Sequence, residues 1–136
     1  MAYMSQELKK KLAPGIKAVF KKYGVKGTIG VRHHSSLVVT IREGVLDLIG
    51  DANAYGKVVA ERRGYDYYPE TYPNINPYYC EEQVMDKKIG EFYKELKAAM
   101  MGDEWYDRSD AMTDYFDTAY YMDINVGAYE KPYKKV

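Results

Sequence analysis

The stretch KGTIGVRHHSSLVVTIREG, residues 26–44, constrains the fold more than any other: two runs of strand-forming residues flank a polar turn. Thr28, Ile29 and Val31 form the first run, and Leu37, Val38, Val39, Thr40 and Ile41 the second. Branched residues on either side of "HHSS" predict a β-hairpin, so the chain must build a sheet. Before it, Leu8, Leu12, Ile16, Val19, Phe20 and Tyr23 recur at helical spacing, with lysines on the other face. Ser5 is placed as the N-cap, Glu7 in the first turn, and Gly24 as a left-handed C-cap. Pro14-Gly15 predicts a kink, or two short helices meeting there.

After a turn at Glu43-Gly44, "VLDLIG" (Val45 to Gly50) would prolong the sheet. From Asp51 to Asn76 the chain turns to Gly, Pro, Asn and Tyr and reads as a long loop, with a short helix around Val58–Arg63. Pro69, Pro73 and Pro77 argue against a central strand, and "YYCEE" reads as a brief edge strand. Met85, Ile89, Phe92, Leu96 and Met100 mark a second amphipathic helix, from near Glu82 to Gly102. A closing strand follows, with Met122, Ile124 and Val126 on one face and Tyr121, Asp123 and Asn125 on the other. The order α-β-β-(β)-loop-α-β predicts one α+β domain over 1–136, two main helices packed on a small, mainly antiparallel β-sheet in two layers.

At 136 residues the length suits a single core, and 46% hydrophobic with 29% charged residues excludes global disorder. No run approaches the roughly 20 apolar residues of a membrane span. The charged, amphipathic N-terminus lacks the apolar region of a signal peptide, and the lone Cys80 excludes an internal disulfide. The expected location is therefore the cytoplasm. Net charge is zero, yet residues 1–42 carry +8 and the remainder −8. Either the halves compensate each other or the basic part meets an outside polyanion. Tyrosine, at 16 residues, exceeds the 3 Phe and 1 Trp, which suits half-buried positions and contact surfaces.

Catalytic patterns are sparse. His33 and His34 are adjacent, so on an extended chain they point apart, and no spaced third ligand supports a metal there. Asp110, Asp114, Asp117 and Asp123 match no calcium-loop spacing and read as a solvated acidic face. Phosphate-binding glycine patterns and a Gly-x-Ser-x-Gly elbow are absent, and no cofactor is called for. Two surfaces remain. One is the acidic, aromatic C-terminal region with Trp105, Tyr106, Asp110, Asp114, Tyr115, Asp117, Tyr120, Tyr121, Asp123 and Tyr129, which suits a protein partner. The other is the basic set Lys9, Lys10, Lys17, Lys21, Lys22 and Arg32, which suits nucleic acid phosphates.

Residues 4–50, MSQELKKKLAPGIKAVFKKYGVKGTIGVRHHSSLVVTIREGVLDLIG, and residues 112–133, MTDYFDTAYYMDINVGAYEKPY, together resemble a family of small, mostly uncharacterised tailed-phage proteins. A related domain belongs to the large polyvalent protein-associated domains, class twenty-nine. The resemblance spans the two ends of the chain and brings no catalytic residues. It implies the context of a phage-encoded accessory protein that acts soon after entry, often against host defences, and supplies no mechanism. With the acidic, aromatic coat and the missing catalytic set, the expected activity is binding of a host protein, with nucleic acid and self-association as alternatives and no membrane. A metal- or nucleotide-dependent enzyme using His33, His34 and the aspartates is the remaining alternative.

Overall fold

A computed structural model describes residues 3–103, 105–106, 118–128 and 131–136. Helix α1 spans Gln6–Tyr23. Ser5 caps it by accepting from the Leu8 amide, and Gly24 ends it at φ 68°. Pro14 lies inside this helix, which runs through it as one element instead of dividing. The missing amide donor is tolerated because tertiary packing fixes the helix on both sides of it. Ile16, Phe20 and Tyr23 bury one stripe.

Strands β1 (Val25–Arg32) and β2 (Ser36–Gly44) pair antiparallel, as the hairpin pattern requires. Strand β4 (Tyr121–Val126) lies parallel to β2, from Ser36 opposite Tyr121 to Ile41 opposite Val126. The short strand β3 (Asn74–Ile75) pairs antiparallel with β4, and β5 (Lys134–Lys135) runs parallel beside the end of β2. The sheet order is β1-β2-β4-β3, so its centre is a parallel pair inside a mixed sheet. This two-layer α+β arrangement agrees with the expected class.

Leu37, Val39 and Ile41 of β2 and Met122, Ile124 and Val126 of β4 face the helices and are buried. With Ile16 and Phe20 of α1 and Phe92, Leu96 and Met100 of α3 (Lys87–Met101) they form one core. Burying side chains of this size stabilises by about 1.5–3 kcal/mol each, the main term holding the layers together.

Three expectations fail locally. "VLDLIG" is no strand: Asp47 accepts from the Gly50 amide and caps helix α2, Leu48–Arg63, which occupies half of the expected long loop. The edge strand lies at Asn74–Ile75, whereas "YYCEE" is a turn; Pro73 and Pro77 confine any pairing with β4 to the three residues between them. Helix α3 begins at Lys87 after its cap Asp86, so Met85 precedes it and is exposed. Asp51 on α2 explains that start: its carboxylate accepts from the Met85 and Asp86 amides at 2.9 and 2.7 Å. Burial raises the Asp51 pKa above the usual carboxylate value, against the two amides that lower it.

Candidate aromatic binding groove

The expected aromatic residues Trp105 and Tyr106 line a groove of about 500 Å³ beside the first half of α1. Leu8, Lys11 and Leu12 of α1 form one wall, and Trp105 and Tyr106 belong to the other. Tyr3, 64% exposed, stands at its edge. The helical stripe generates the first wall: Leu8 and Leu12 lie one turn apart, and both rest partly buried on the core. The close approach of α3 generates the floor. Gly102 ends α3 at φ 63°, and a Cβ there would stand 2.6 Å from Leu12 Cδ2. Only glycine fits both that backbone and that contact.

Trp105 is fixed in place. Its indole Nε1 donates to the Tyr120 carbonyl at 2.9 Å, and the Tyr78 ring leans on it with centroids 6.2 Å apart. Tyr120 lies beneath, 3% exposed, and its hydroxyl donates to the terminal carbonyls of α3 at Met100 and Met101. Those carbonyls have no partner inside the helix, so Tyr120 is a cap and core residue and not part of a contact surface. Burial pushes its pKa up to about 12. Tyr133 is explained the same way: it is buried, donates to the Leu46 carbonyl at 2.7 Å, and is raised to about 12.

Of the expected partner surface the groove therefore presents Trp105 and Tyr106, with Tyr120 beneath as their support. Tyr121 is exposed at the start of β4, with its amide donating to the Ser35 carbonyl. Asp123 faces the sheet surface away from the helices and is structural there. It accepts from Arg32 Nη1 at 3.0 Å and from Asn74 Nδ2 at 2.6 Å, tying β4 to β3 beside it and, over β2, to β1. Asp110, Asp114, Tyr115, Asp117 and Tyr129 lie outside the described residues. Tyr3, Leu8, Lys11, Leu12 and Asp103 line the groove without having been expected to. Leu8 and Leu12 carried a usable signal, since an apolar stripe that begins two turns before Ile16, the first fully buried residue of α1, must meet something beyond the core.

Of the basic set, Lys10, Lys17 and Lys21 are exposed, while Lys9 is half-buried. Lys22 Nζ bonds Glu95 at 2.7 Å, and Tyr23 donates to the same carboxylate, which lowers the Glu95 pKa. His33 and His34 form the hairpin turn, both exposed and both at φ 53°. This left-handed backbone is uncommon for non-glycine residues, and the Met4 amide bonding the His34 carbonyl at 2.6 Å helps to hold it. The two imidazoles do not converge with a third ligand: among the described residues no group of three His, Cys, Asp or Glu could hold a metal. Cys80 is fully buried within 3.5 Å of the Pro77 and Tyr93 carbonyls, and burial pushes its thiol up to about 12, opposite to what a nucleophile needs. No described helix is long and apolar enough to cross a membrane. No protein-family model, no curated protein and no solved structure matches the chain.

Proposed function

We propose that the chain is a phage-encoded accessory protein that binds a host protein of defence or regulation and modulates it, with the groove beside α1 as its anchor point. The groove carries this reading. It offers an open apolar cleft with an indole, the rings of Tyr3 and Tyr106, and the opposite charges of Lys11 and Asp103 in its lining. Aromatic residues set in a concave apolar site with a polar rim are what a protein hot spot needs from its receptor. The partner would place an apolar side chain against Leu8, Leu12 and Trp105 and satisfy Lys11 and Asp103 around it.

The test is capture of the partner from bacterial host lysate by the double variant Tyr3→Ala, Lys11→Glu, which alters exposed rim positions and leaves the core intact. Affinity should fall by about tenfold or more, the loss expected for a hot-spot contact. Tyr68→Ala, at a residue 78% exposed in the loop after α2, should leave capture unchanged. Equal capture by the double variant and the wild-type protein would refute the groove as the anchor.

A further inference from the structure

From a separate observation, we infer that the outer face of α1 is a docking surface for the phosphate backbone of duplex nucleic acid. Among the described residues, few of the basic side chains at the start of the chain are paired with acids. Of the nine basic residues in positions 1–42, Lys22 and Arg32 form ion pairs with acids from the rest of the chain, and among the described residues they are the only two. Lys10, Lys17 and Lys21 have none and are exposed.

Their spacing places them together. At about 100° per residue the three lie within roughly 40° of one another around the helix, and they span about 16 Å along its axis. By the same count they flank the stripe of Ile16, Phe20 and Tyr23 that anchors the helix in the core, about 110° round from it. Aligned like charges destabilise a helix slightly, and among the described residues only Glu7, three positions before Lys10, sets an acid near the stripe.

The chemistry of this face selects among anionic partners. The exposed residues around the stripe are Gln6, Glu7, Pro14 and Ala18, with no ring or large apolar side chain. A protein partner needs an apolar centre to its contact, which this face lacks. Membrane attachment by an amphipathic helix needs a free apolar face, and that of α1 is committed to the core. Phosphate binding needs neither: lysines act on phosphates as point charges, without the paired geometry that arginine brings to carboxylates.

The experiment is fluorescence anisotropy of the full chain with a short labelled duplex DNA over a salt series. Three phosphate contacts predict a log–log slope of about −2.7, a loss of roughly 40-fold in affinity between about 50 and 200 mM salt. The variant Lys10→Gln, Lys17→Gln, Lys21→Gln should abolish that salt-dependent binding, with helicity by circular dichroism unchanged because Gln is a comparable helix former. A control, Lys57→Gln, Lys87→Gln, Lys88→Gln, removes the same charge from exposed sites elsewhere and should retain the slope. The inference is overturned by a flat salt response, by equal losses in variant and control, by equal competition from polyglutamate, or by binding to anionic vesicles without binding to DNA.

Discussion

Two regions of the molecule are rich in aromatic side chains, and they are built on opposite principles. The groove beside α1 is concave, and its walls stand on the core: Leu8 and Leu12 continue the stripe of Ile16, Phe20 and Tyr23, while Tyr120 locks the end of α3 beneath Trp105. The loop after α2 carries Tyr65, Tyr67, Tyr68 and Tyr72. One side chain pins it: Asn53 accepts from the Glu70 amide at 2.8 Å and from the Tyr67 hydroxyl, and donates to the Glu70 carbonyl at 3.0 Å. Tyr65, Tyr68 and Tyr72 remain exposed. Tyrosine abundance alone therefore does not locate a binding surface. A ring becomes an anchor where rigid packing holds it in a cleft, and elsewhere it is a coat.

That contrast breaks most severely at Ile16. It is fully buried under the groove wall, and Ile16→Ala should cost about 3 kcal/mol in global stability, read by urea denaturation. A loss below about 1 kcal/mol would mean that α1 does not rest on the core as described.

Alkaline titration makes the next largest change. Tyr120 and Tyr133 sit at about 12 in the folded protein, above the unfolded value of 10.0. The stabilisation they contribute is complete below the unfolded value and is lost as pH rises through the folded one, at about 1 kcal/mol per pH unit for each group. Stability measured from pH 9 upward should thus fall steeply, and Tyr133→Phe should flatten the fall. An unchanged slope in that variant would remove Tyr133 from the buried set.

Asn53→Ala sharpens the contrast with the smallest effect. Losing the pin should lower global stability by about 1 kcal/mol and speed proteolysis between Tyr65 and Tyr72, with capture by the groove unaffected. A loss of capture would show that the two aromatic regions work as one.

The parts legible in the sequence are those whose periodicity reports burial. The stripe of α1, the hairpin and the alternation of β4 each follow from one apolar face meeting one core, and all three stand where expected. Only the end of helix α2, Val58–Arg63, was legible, because just Leu48, Asp51 and Ala60 of the helix are buried, too few to write a stripe over its length. Its caps, Asp47 and Gly64, were the available signal. The parallel pairing of β2 with β4 depends on how the intervening helices return the chain, which no local pattern encodes. At the site, Trp105 and Tyr106 were visible as aromatics, whereas the buried role of Tyr120 depends on the unpartnered carbonyls at the end of α3. Lys11 was counted within the basic third, but its place in the groove follows only from where α3 ends.

Trp105 is the sole tryptophan of the chain and lines the groove, so its emission reports on that surface alone. Titrating the captured host protein, in a form lacking tryptophan, into the wild-type chain should shift Trp105 emission to the blue and saturate with the binding curve, while saturating duplex DNA leaves it unchanged. Saturation by the host protein with no change in Trp105 emission would contradict the groove as the working surface of this protein.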